Sequence, residues 1–182
     1  EKGLRIESGE LRPNFIIDLT KDLAKLKLLR DLWETIENDP KLDAFKEALA
    51  RNEKLGGKKK IIFTESRETA EYLAKELEAQ YGTRVIAYSG QSGAKQKADI
   101  EDSFNPKYAD RQHDLYDVLI TTDILAECIN LHRSNILINY DLPWNPTRIM
   151  QRVGRINRVG TEHEQIYVFN FFPTAQSDAH MP

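Results

Sequence analysis

The chain has 182 residues, 40% of them hydrophobic, with 26 Lys and Arg against 29 Asp and Glu for a net charge of −3. That is enough chain for one sizeable core and a small helical annex. The balance excludes a protein that coats nucleic acid indiscriminately, although a local basic surface acts by its own patch rather than by the total.

No apolar run approaches the roughly 20 residues of a membrane span, and no secretory signal is visible at the start. The single cysteine, Cys128, excludes an intramolecular disulfide and a Cys-based zinc cluster. A reducing, intracellular setting is the expectation. Because residue 1 is Glu, the sequence reads as an excised piece of a longer chain.

In chain order, apolar residues recur at helical spacing from Leu19 to Ile36 (Leu19, Leu23, Leu26, Leu29, Trp33, Ile36), with Asp18 or Thr20 as the expected cap. Asp39-Pro40 ends that helix and starts another, which runs to about Asn52 with Leu42, Phe45 and Leu49 inward. Gly56-Gly57 punctuates, and residues 1–57 read as a helical lead-in. Strand and helix then alternate. Strands are predicted at Ile61–Thr64, Arg84–Tyr88, Asp117–Thr121, Asn135–Tyr140 and Gln165–Phe172, and helices at Arg67–Gln80 and Lys95–Phe104. Residues 105–116 form the long polar loop. Such alternation predicts βαβ units and a mainly parallel sheet covered on both faces. Tyr140, Trp144, Phe169 and Phe171 are expected in the core and at strand edges.

The most informative stretch is Asn139 to Gly160, NYDLPWNPTRIMQRVGRINRVG. It leaves a strand, turns through Pro143 and Pro146, and opens a short helix. At about 100° per residue, Arg148, Gln151, Arg152, Arg155 and Arg158 share an arc of roughly 120°, apart from Ile149, Val153 and Ile156. An Arg-rich face is ordinarily solvated surface. Here no acid falls between Asp141 and Glu162, and the basic residues are all arginine. The face therefore repels itself unless an anion sits opposite, and forked donors suit phosphate oxygens.

Ligands of open α/β sheets sit at the carboxyl ends of the strands. Three such ends are rich: Thr64–Arg67, where Ser66 is placed to cap a helix; Thr121–Asn130; and Asp141 with the arginine helix. Gly90–Lys95 is not a phosphate loop, because Ala94 precedes Lys95 and Gln96 follows it. His113, His132, His163 and His180 lack ligand spacing, so no metal site is expected.

The order of Lys60–Arg67, Tyr88-Ser89-Gly90, Thr121–Asn130 and Gln151–Arg158 resembles motifs IV, IVa, V and VI of the second RecA-like domain of superfamily-2 helicases and translocases. It is most similar to the bacterial Swi/Snf-type ATPases. The resemblance covers about residues 38–172 and implies a RecA-like three-layer α/β fold over 58–182. It implies a motor half that closes with a first RecA-like lobe on ATP and Mg²⁺, both held mainly by that first lobe. By the same resemblance Arg155 and Arg158 are arginine fingers. Gln151, Asn130, Asp123 and Arg152 belong to the nucleotide side, and Ser66, Arg67 and Thr122 face a nucleic-acid backbone, with double-stranded DNA the expected track. The chain carries no phosphate loop of its own, so the piece alone is expected not to hydrolyse ATP. Motif V usually has Gly where Cys128 stands. That departure favours the alternative, a degenerate module that grips nucleic acid or protein without serving an ATPase.

Overall fold

The computed structural model describes residues 12–56, 59–108, 114–123, 129–157 and 163–172. The chain divides into two compact units, Glu1–Ala44 and Phe45–Pro182.

In the first unit, helix α1 spans Phe15–Glu34. It starts a turn earlier than the Leu19 periodicity predicts, so neither expected cap serves as one. Thr20 lies inside the helix and its hydroxyl donates to the Ile16 carbonyl at 2.7 Å. None of the α1 residues is buried. The stripe from Leu19 to Trp33 is real, but Ile17, Leu28 and Leu32 place further apolar side chains on the other side, and all are exposed. Helix α2 spans Pro40–Arg51. The Asp39 carboxylate accepts from the backbone N–H groups of Lys41 and Leu42 at 3.0 Å each, satisfying donors that the first turn leaves free.

The second unit is built on five parallel strands in the order β2-β3-β1-β4-β5. They are β1 (Lys60–Phe63), β2 (Val85–Tyr88), β3 (Val118–Thr121), β4 (Ile136–Asn139) and β5 (Tyr167–Asn170). The three central strands, KIIF, VLIT and ILIN, are buried at every position. Continuous apolar runs of this kind belong to parallel sheets covered on both faces. The register levels the carboxyl ends: Phe63 pairs with Thr121 and Asn139, Tyr88 with Thr121, and Asn139 with Asn170. Every loop that follows a strand therefore leaves from one edge.

Helices α3 (Arg67–Tyr81), α4 (Ala94–Phe104) and α5 (Pro146–Ile156) supply the covering layers. Ile61, Phe63, Leu119 and Leu137 share one face of the sheet and cluster with Ile100 and Phe104 of α4 and Ile156 of α5. Alternation sends Lys60 and Ile62 to the opposite face. There the Lys60 ammonium lies 4.7 Å from the ring centre of Tyr81, at the end of α3. Three layers result. Helix α3 ends on Gly82 at φ 59°, a left-handed conformation that favours glycine. Phe45, Tyr140 and Phe171 form an aromatic cluster with ring centres 5.0–6.1 Å apart.

The amino edge of the sheet is tied by ion pairs. Arg84 forks onto Asp117, with Nη2 2.8 Å from Oδ1. That hydrogen bond holds the Asp117 carboxyl below the usual carboxylate range, and burial opposes it. Burial pushes the Lys60 ammonium down.

Candidate functional site

The levelled carboxyl edge carries a cleft of about 780 Å³. Its walls come from four places: Glu65, Arg67 and Glu68 after β1; Ser89, Gly90 and Gln91 after β2; Thr122 and Asp123 after β3; and Arg148, Gln151 and Arg155 on α5. Residues distant in sequence thus converge as the parallel topology requires.

Each wall is locally determined. Ser66 caps α3, its Oγ accepting from the Thr69 N–H at 3.0 Å. Asn145 caps α5 in the same way, accepting from Thr147 N–H at 2.9 Å, with Pro146 preset for the first turn. Asp141 braces the β1 and β4 loops together: it accepts from the Thr64 hydroxyl and, at 3.2 Å, from the Glu65 N–H.

Arg152 departs from the sequence expectation of an open cationic face. It is fully buried. Its Nε donates to Asp123 Oδ1 at 2.6 Å and its Nη2 to Asp123 Oδ2 at 3.0 Å. Nη2 also reaches Glu65 Oε1 at 3.2 Å, and Nη1 reaches Asn139 Oδ1 at 2.8 Å and the Asp141 carbonyl at 3.2 Å. The guanidinium lies 4.9 Å from the Phe63 ring centre. Arg148 also has acids near it, Glu65 at 3.5 Å and Asp123 at 3.6 Å. The acids missing from α5 itself are therefore supplied by the β1 and β3 loops.

Arg155 differs from both. It is half-buried, lines the cleft, and has no ion pair among the described residues. Gln151 is exposed beside it. Thr122 is 8% exposed, and its hydroxyl has no hydrogen-bond partner among the described residues. Arg67 donates to the Gln91 side chain and lies 3.6 Å from Glu71. Ser66 and Asn130 are not part of the cleft lining. Arg158 and Cys128 lie outside the described residues. Trp144 is not a core residue as expected: it is 86% exposed, in the loop between β4 and α5.

The model of the helicase conserved C-terminal domain matches residues 40–160. The chain belongs to this family. The fold agrees, since five parallel strands with helices are the RecA-like C-terminal lobe of helicases. The chain is 41% identical over 112 residues to an uncharacterized ATP-dependent helicase, YqhH, of Bacillus subtilis, covering 62% of this chain and 18% of that protein. It is 29% identical over 147 residues to the ATP-dependent RNA helicase eIF4A of Yarrowia lipolytica, covering 80% of this chain and 30% of that one. This helicase domain thus spans under a third of these curated relatives. Among solved structures, the C-terminal part of the Fun30 ATPase domain superposes with a TM-score of 0.59 at 21% identity, over 82% of this chain and 49% of that one.

The Glu65 and Asp123 carboxylates are what sequence reasoning missed as partners of the arginine face. The family resemblance implies the nucleotide side for Asp123, whereas the structure makes it the two-point acceptor of Arg152.

Proposed function

We propose that this domain is the C-terminal motor lobe of an ATP-dependent DNA helicase or double-strand DNA translocase. Arg155 carries the reading. Its neighbours Arg148 and Arg152 have acids, whereas Arg155 stands in the cleft without one among the described residues. A guanidinium kept unpaired beside neutralised ones suits an anion brought by another domain. In this reading Arg155 and Arg158 act as arginine fingers on a triphosphate held, with Mg²⁺, by the first RecA-like lobe.

Phosphoryl transfer from that triphosphate develops charge on its equatorial oxygens, and a finger arginine is worth about 10³–10⁵ in rate. Gln151, Asn130 and Asp123 serve the nucleotide side. Arg152, with no exposed surface, acts by holding Asp123 in place. Ser66, Arg67 and Thr122 track the nucleic-acid backbone, and the Thr122 hydroxyl, without a partner among the described residues, fits a phosphate oxygen. The lobe is assigned to residues 58–182, with 1–57 as lead-in. It is inactive as an ATPase alone, and it works inside the cell.

DNA is preferred because the NYDLPWNPTRIMQRVGRINRVG wording resembles the Swi/Snf-type ATPases. RNA is the second reading, favoured by the similarity to a protein named an RNA helicase. The test is the ATPase rate of the full-length protein alone, with duplex DNA and with single-stranded RNA. Stimulation by duplex DNA is expected. Stimulation by RNA alone transfers the assignment to RNA, and no stimulation by either favours the degenerate binding module.

A further inference from the structure

Arg148 sits in the first turn of α5, where its backbone N–H bonds the Asn145 carbonyl at 3.0 Å. Its side chain is 52% exposed and lines the cleft. The two acids beside it, at 3.5 and 3.6 Å, lie at or beyond the outer limit of a hydrogen bond. Both are already committed elsewhere. Asp123 gives its two oxygens to Arg152 at 2.6 and 3.0 Å, and Glu65 gives Oε1 to Arg152 at 3.2 Å. Arg148 is left with the remaining Oε2 of Glu65 and a second-hand share of Asp123.

We propose that Arg148 is a further phosphate-binding residue of this cleft, and that Glu65 is the internal anion that a bound phosphate displaces from it. The inference rests on the motor-lobe reading for the identity of the ligand, but its geometry stands by itself. One carboxylate bridges two guanidiniums, an arrangement that a phosphate between two arginines would reproduce. Releasing Arg148 leaves Glu65 still bonded to Arg152, and its half-exposed carboxylate rehydrates readily. The Thr122 hydroxyl, buried in the same cleft without a partner among the described residues, offers a second donor to the incoming oxygen. The charged lining is balanced, Glu65, Glu68 and Asp123 against Arg67, Arg148 and Arg155. With its charges so balanced the cleft is a weak general anion trap, and Glu65 sets the threshold at which phosphate is held.

Phosphate can arrive from a nucleic-acid backbone or from a nucleotide, and the experiment separates the two. In the full-length protein, Glu65→Gln, Arg148→Ala and the double variant are compared for duplex-DNA affinity across a salt series and for the KM of ATP at saturating DNA. Glutamine keeps an acceptor for Arg152 while removing the charge, and thermal melts confirm that each variant is folded. Glu65→Gln is expected to tighten one ligand about two- to fivefold, the range for a partly exposed pair. Arg148→Ala weakens the same ligand and, if that is DNA, lowers the salt slope by about 1. The double variant matches Arg148→Ala, because the effect of Glu65 passes through Arg148. The inference is overturned if Glu65→Gln changes neither ligand, or acts equally in the absence of Arg148. Should Arg155→Ala abolish DNA-stimulated ATPase while these variants do nothing, this inference fails and the lobe assignment stands. The reverse pattern removes the assignment and leaves the Arg148 site.

Discussion

Arg152 and Asp123, 29 residues apart in the chain, meet in a two-point pair, Nε to Oδ1 at 2.6 Å and Nη2 to Oδ2 at 3.0 Å. The same guanidinium holds the side chain of Glu65 after β1, that of Asn139 at the end of β4, and the carbonyl of Asp141. One side chain thus locks α5 to three strand ends, and with it the position of Arg155 one turn along. Removing one member of a buried ionic network strands the others. Arg152→Met is expected to lower unfolding stability by about 3 kcal/mol. Arg152→Lys should recover little, because an ammonium cannot reproduce the fork. Urea denaturation of the three proteins checks both.

The cap of α3 is a smaller, separable contribution. Ser66 Oγ accepts from Thr69 N–H at 3.0 Å, at the edge that carries the cleft. Ser66→Ala is expected to cost about 1 kcal/mol and Ser66→Asp to restore most of it. The shift in the urea midpoint at an unchanged m-value is the readout.

At the opposite edge the Arg84 hydrogen bond lowers the Asp117 pKa below its ordinary 3.8. The unfolded carboxyl therefore binds its proton at a higher pH than the folded one. The stabilisation is fully present above the unfolded value and is lost as pH falls through the folded value. Asp117→Asn should be less stable than the natural protein at neutral pH, with the gap closing as pH drops below 3.8. Parallel urea titrations at pH 7 and along an acid series measure it.

Much of this fold was legible in the residues. Unbroken apolar runs marked β1, β3 and β4, and Ser66 marked the start of α3, because both signals act over a few neighbours. Strands β2 to β5 are shorter than their apolar and polar flanks suggested, since only four residues in each keep the ladder, while β1 keeps its expected four residues but starts one earlier, at Lys60. The convergence of three loops at one edge was also readable, because parallel topology dictates it. The state of the arginines was not. On a helical wheel Arg152 stands about 40° from Ile156, close enough to the apolar side to be drawn in, yet it shares the Arg155 arc. What decides its burial is Glu65, 87 residues away, and Asp123, and no local pattern reports such partners. The periodicity of α1 likewise revealed a helix but not what its apolar side chains meet.

Arg155 is proposed as an arginine finger. That role is tested most directly by the DNA-stimulated ATPase rate of the full-length protein carrying Arg155→Ala, with thermal stability and DNA affinity measured alongside. The expected result is a fall in kcat of about 10³–10⁵-fold with folding and DNA binding retained. A variant that keeps most of its stimulated rate contradicts it.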